Sequence, residues 1–131
     1  MPRPHNPDVP KHTGITRLFM AIGHSRAGFA SAYHTEAAFR QEVWLAAVLI
    51  PASLWVDVSR LEHVLLIGSL LLVMIVELLN SGIEAVVDRI SLERHDLSKH
   101  AKDVGSAAVL LALINFLAIW GSILWTRYVA A

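Results

Sequence analysis

The stretch Val76-Glu77-Leu78-Leu79-Asn80-Ser81-Gly82-Ile83-Glu84-Ala85-Val86-Val87-Asp88-Arg89 decides what kind of protein this is. It closes an apolar run that begins at Val64, and it puts two carboxylates and an amide inside that run. An ionised carboxylate at the bilayer centre costs roughly 2.5–3.5 kcal/mol on insertion scales, so ionisable groups within a membrane span mark a functional site by default. At 100° per residue, Glu77, Asn80, Glu84 and Asp88 share one helix face, at spacings of 3, 4 and 4. About 10 Å of axial rise separates Glu77 from Glu84. Both cannot easily grip one ion, so the face offers two roles at two depths: one for a group delivered from the membrane, one for an aqueous solute. The bland alternative is polar glue between helices, for which an asparagine alone would serve.

Two further apolar stretches flank this one, Val43–Val58 and Val104–Thr126, in a chain of 131 residues that is 55% hydrophobic and 17% charged. This composition predicts an all-α membrane protein of one domain. The first stretch covers about 24 Å as a helix, less than the ~30 Å hydrocarbon core. Its helix is therefore expected to start near Glu36, with Glu36, Arg40 and Glu42 at headgroup level. Pro51 breaks one helical hydrogen bond, which a membrane helix tolerates, and Trp44 and Trp55 suit the aromatic belts. The last stretch carries no charge. Gly105, Ser106, Ala107 and Ala108 at its start admit another helix closely, and Trp120, Trp125 and Tyr128 read as interfacial at its far end. Ahead of the spans, Ile15, Leu18, Phe19 and Ile22 have helical spacing, giving a surface helix over residues 14–34 anchored in the interface by Arg17 and Arg26. Residues 1–13, with Pro2, Pro4, Pro7 and Pro10, read as a disordered tail and not as a signal peptide. The remaining residues, 14–131, form one membrane domain with spans at about 36–58, 61–90 and 103–127.

Net charge is zero, but its distribution is uneven. Arg3, Lys11, Arg17, Arg26 and Arg40 precede the first span, and Arg89, Arg94, Lys99 and Lys102 lie between the second and third; only Arg60 and Arg127 lie on the other side. The positive-inside rule then puts the N-terminus and the second loop in the cytoplasm and the C-terminus outside. With no cysteine, disulfides and thiolate chemistry are excluded. There is no dense basic patch for nucleic acid, no GxxxxGK[ST], no kinase-type glycine loop and no HExxH.

The loop after the second span, Arg89 to Asp103, is dense in charge. For most of it, including Arg94, Lys99 and His100, topology-setting charge on a solvated surface is a sufficient reading. Lys102 and Asp103 abut the apolar run and are expected to point into the protein. Lys102 offers a point charge for a phosphate; Asp103 offers either a polar contact or the N-cap of the third span. Glu36 and Arg40 form an i, i+4 pair that reads either as a surface salt bridge or as placing a second metal carboxylate opposite Glu84. Hard oxygen ligands of this kind suit magnesium, which takes one or two carboxylates plus substrate phosphates.

Three segments carry a resemblance: Glu36-Ala37-Ala38-Phe39-Arg40-Gln41-Glu42, then Val73 to Arg89, then Ala101-Lys102-Asp103-Val104-Gly105-Ser106-Ala107-Ala108. Together they resemble the prokaryotic diacylglycerol kinase family, over nearly the whole chain from Gly14 onward. The resemblance implies a three-span inner-membrane protein with an N-terminal surface helix, assembled as a homotrimer. It implies magnesium-dependent transfer of the ATP γ-phosphoryl group to diacylglycerol, giving phosphatidic acid. By matched position it implies that Glu77 is the general base and that Glu36 and Glu84 are the metal carboxylates. It places Arg17, Glu93, His95, Lys102 and Asp103 at ATP, with Arg94 beside them, and Asn80 and Ser106, together with Arg17 and Glu77, at the lipid. His24 stands where the family has an ATP-contacting tyrosine, and Arg26 where it has a tryptophan. A related branch phosphorylates undecaprenol, which is the rival within the class. The rival outside it is a small ion- or proton-conducting oligomer using Glu77 and Glu84 as a relay. A relay needs ionisable groups through the full depth. Val64 to Val76 and the third span have none, which favours a one-sided interfacial site.

Overall fold

The computed structural model describes residues 14–130, and these are helical throughout apart from short connections. The four helices are α1 (Ile15–Thr35), α2 (Ala37–Ser53), α3 (Arg60–Ile90) and α4 (Asp96–Tyr128). The chain divides into two compact units, the first ending at Ser31 and the second beginning at Ala32. The tail expected over residues 1–13, with Arg3 and Lys11, lies outside the described residues.

In the first unit, α1 follows Gly14, whose φ of +66° is open to glycine at no steric cost. The helix occupies the range expected from its apolar spacing, with Ile15, Leu18, Phe19 and Ile22 exposed along it.

The second unit is built on α3, which packs against both α2 and α4. Each of these helices buries or half-buries a stripe along one face, in alternating three- and four-residue steps on α2 and α3 and in steps of seven, four, four and three on α4. On α2 it runs through Phe39, Glu42, Ala46, Leu49 and Ser53; on α3 through Leu66, Leu70, Val73, Glu77, Asn80 and Glu84; on α4 through Gly105, Ala112, Phe116, Trp120 and Ile123. That spacing keeps one seam facing its neighbour. At one end of the unit, Leu66, Leu70, Trp120 and Ile123 form the apolar core, with Leu49, Ile50, Val58, Phe116 and Ile119 around it.

Among the described residues, α3 (31 residues) and α4 (33 residues) are long and apolar enough to cross a membrane. The α2 helix has 17 residues and covers roughly 26 Å, short of the hydrocarbon core. It ends earlier than the expected boundary near residue 58, because its last turn closes on itself two residues past Pro51. Leu54 N and Trp55 N donate to the Pro51 and Ala52 carbonyls at 3.1 Å, and Ser53 Oγ donates to Ile50 O at 2.7 Å. The Ser53 carbonyl is met by His63 Nε2 at 2.8 Å. The helix end thus satisfies its carbonyls locally. A capping box then opens α3: Ser59 Oγ accepts from Glu62 N at 3.3 Å and Glu62 Oε2 from Ser59 N at 2.7 Å.

Three further expectations are corrected. The helix that carries the expected 103–127 span starts at Asp96, where His95 caps it with Nδ1 accepting from Leu97 N at 3.1 Å. Asp103 is therefore not an N-cap; it lies inside α4, exposed, and pairs with Lys99 at 2.5 Å. Trp120 is not interfacial. It is 8% exposed and its Nε1 donates to Leu66 O at 3.1 Å and Ser69 Oγ at 3.2 Å, which satisfies a buried indole. Trp125 and Tyr128 do remain exposed. Arg40 makes no ion pair with Glu36; its Nη1 donates to the Tyr33 and His34 carbonyls at 2.7 and 3.2 Å.

Candidate active site

The polar face of α3 survives as a face. Glu77 sits on the buried stripe and is 7% exposed. One turn on, Asn80 is half-buried and its Nδ2 donates to Glu84 Oε1 at 3.5 Å. One more turn beyond Glu84, Asp88 emerges at the end of the helix. A long, mostly apolar helix holds these groups on one side because their spacing follows the same three-four stripe that packs the helix. Burial and charge therefore run along one line.

Glu77 is the buried member of a carboxylate group. The charges acting on it are those of Glu36, at the start of α2, and Glu84; Glu77 in turn acts on Glu42. The Glu42 Oε2 atom is buried with no hydrogen-bond partner. Sequence reasoning left Glu42 at headgroup level. The signal that would have found it is its position three residues after Phe39 and four before Ala46, on the buried stripe. Among the described residues, no group of three or more His, Asp or Glu side chains is gathered as a metal centre.

At the end of the same helix face, an open concavity of about 810 Å³ lies between the C-terminus of α3, the connection that follows and the first two turns of α4. Its lining is mainly charged and includes Asp88, Glu93, Arg94, His95, Lys99, Lys102 and Asp103. Five of these are residues singled out in the sequence as nucleotide-side candidates. Asp88, which the sequence placed on the carboxylate face, and Lys99, which it read as topology-setting charge, are additions to that set. Lys102 Nζ donates to Asp88 Oδ1 at 2.7 Å across the α3–α4 contact. That hydrogen bond, opposed by desolvation and reinforced by the charges of Asp88 and Glu84, raises the Lys102 pKa above its usual 10.5. The ammonium is therefore fully charged near neutral pH. Lys102 points to its partner helix as expected, whereas Asp103 does not.

Ser106 is exposed on α4, beside Gly105. Arg17 and His24 lie on α1, in the first unit, as does Arg26. The chemistry available in the second unit is thus a buried carboxylate, a second carboxylate held by an amide, and a concavity of mixed charge at the end of the same helix face.

Comparison with known proteins shows the family. The family model for prokaryotic diacylglycerol kinase matches residues 23–124. A diacylglycerol kinase of Pseudomonas aeruginosa is 57% identical over 112 residues, covering 86% of this chain and 91% of the relative. The diacylglycerol kinase of Escherichia coli K12 is 51% identical over 116 residues (88% and 95%), and that of Haemophilus influenzae 49% over 115 residues (88% and 98%). A match of this length, across the helices that carry the carboxylates and the charged concavity, makes this chain a member of the prokaryotic diacylglycerol kinase family.

Proposed function

We propose that this chain is a diacylglycerol kinase that transfers the γ-phosphoryl group of ATP to the free hydroxyl of diacylglycerol, yielding phosphatidic acid and ADP. The observation that carries this reading is the continuity of one helix face, from the buried Glu77 to the charged concavity past Asp88, where Arg94, Lys99 and Lys102 stand among four carboxylates. It gives an apolar-side group for a lipid hydroxyl and a charged recess for a soluble polyphosphate at the two ends of one short path.

Glu77 accepts the proton of the acceptor hydroxyl as its oxygen attacks, because that hydroxyl ionises far above neutral pH. The new oxygen–phosphorus bond forms as the bond from the γ-phosphorus to the bridging oxygen breaks, and ADP leaves with that electron pair. Lys102, Arg94 and His95 bind and orient the phosphates, while Glu93 and Asp103 set the shape and charge of the recess. Arg17 and His24 are assigned to ATP, and Arg17 also to the lipid, by the family resemblance alone; Asn80 and Ser106 take the lipid side. Glu36 and Glu84 fit magnesium: they are hard carboxylates acting on one neighbour, and such ions take one or two carboxylates with the rest from water and phosphate. Bound magnesium would neutralise charge on the transferring phosphates. Most of the rate enhancement in so small a protein comes from positioning.

The subunit is read as three-span, with α2 extended by its headgroup-level ends, in a homotrimer in the bacterial inner membrane. The concavity faces the cytoplasm, where the basic loop belongs. The test is phosphorylation by purified protein in mixed micelles containing magnesium and γ-labelled ATP, with diacylglycerol and undecaprenol offered in parallel. Label in phosphatidic acid is the expected result. Label in undecaprenyl phosphate alone would replace the substrate, and no labelled lipid would overturn the reading.

A further inference from the structure

Asn80 and Gly105 meet where α3 packs on α4. Gly105 is buried, and a Cβ built on it would fall on Asn80 Oδ1 and lie 3.3 Å from Cγ. At each of the other described glycines, the same construction meets nothing within 4 Å. The Asn80 Oδ1 atom is buried without a hydrogen-bond partner, while Nδ2 on the same amide donates to Glu84. A buried amide with one end unsatisfied has its orientation set by shape and by its single donor bond, since no acceptor bond holds the other end. Here the shape is the bare backbone of α4 at Gly105.

We propose that Gly105 is a positioning residue. By letting α4 approach without a side chain, it seats the Asn80 carbonyl and turns the amide nitrogen towards Glu84, which fixes how the Glu84 carboxylate is presented. This rests on the reading of Glu84 as a magnesium ligand; the contact itself does not. A hydrogen-bonded partner behind a ligating carboxylate typically changes metal affinity about 10–100-fold when lost.

Two measurements separate the parts. The first is a thermal double-mutant cycle. Alanine is the better helix former, so Gly105→Ala should raise the melting temperature where Asn80 has been cut to alanine and lower it where Asn80 is intact. Equal shifts on both backgrounds would overturn the contact, as would a Gly105→Ala protein that fails to fold and is not rescued by Asn80→Ala. The second is a magnesium titration of activity. Gly105→Ala should need about tenfold more magnesium for half-maximal rate, with Gly121→Ala, on the same helix in open space, matching wild type. Should Gly105→Ala fold only with its rescue, Asn80→Leu, which keeps bulk and loses the donor, takes its place in the titration with the same expected rise. Glu84→Ala separates the failures. If it leaves the magnesium requirement unchanged, the ligand reading falls. If it raises the requirement and the Gly105 or Asn80 variant does not, the positioning role falls.

Discussion

At Lys102, one side chain connects local geometry to chemistry. Its ammonium is exposed enough to meet a phosphate and is held by Asp88 across the helix contact. Because its folded pKa lies above the usual value, whatever the pair contributes is fully present below 10.5 and is lost only as pH rises through the folded value. ATP affinity should therefore stay level on the alkaline side of the histidine range. Lys102→Met should weaken it about tenfold or more, the scale of a lost charged hydrogen bond, read as the KM for ATP. Trp120 makes the complementary point. Trp120→Phe keeps an aromatic ring but removes the Nε1 donor shared by Leu66 O and Ser69 Oγ, while Leu66 O still accepts from Ser69 Oγ, so the cost of the lost hydrogen bond is about 1 kcal/mol. It should lower thermal stability and leave turnover unchanged. The carboxylate face was legible in the sequence because periodicity alone puts Glu77, Asn80, Glu84 and Asp88 together. The buried Trp120 was not: an indole near a span's end suits either an aromatic belt or a core, and only the packing partner decides between them.

At the scale of elements, the helix ends were the hardest to read and have the clearest physical causes. The start of α4 rests on the His95 ring accepting from Leu97 N, a cap that composition does not announce beside so many charged residues. The α2 end and the α3 start are joined by the His63–Ser53 hydrogen bond and the Ser59–Glu62 capping box. Ser59→Ala should cost about 0.5–2 kcal/mol, measured as a shift in thermal unfolding, and should spare activity below the transition because the site lies at the other end of α3. Glu42 shows what pattern reading can recover. Its place on a buried three-four stripe was visible in the letters, but its neighbour Glu77 belongs to another helix, and no single-helix pattern reports a contact between helices.

For the molecule as a whole, one chain leaves much apolar side-chain area uncovered. Leu79 on α3 and Leu111 and Leu117 on α4 are each more than 60% exposed. Under the proposed homotrimer, lipid and neighbouring copies cover this surface, and light scattering in detergent should give three copies of the 14.4-kDa chain. The central claim is chemical: the buried carboxylate on α3 takes the proton of a lipid hydroxyl while the recess at the helix end holds the nucleotide. It is tested most directly by Glu77→Gln, which keeps size and a hydrogen-bonding oxygen but cannot act as a base. The measurement is phosphatidic acid formed in mixed micelles at saturating ATP and magnesium, beside wild type, with folding and nucleotide binding checked on the same preparation. The account predicts a folded, nucleotide-binding protein, at least as stable as wild type, whose turnover falls by about 10²–10⁴-fold. A folded Glu77→Gln protein that keeps more than about a tenth of wild-type turnover would contradict it.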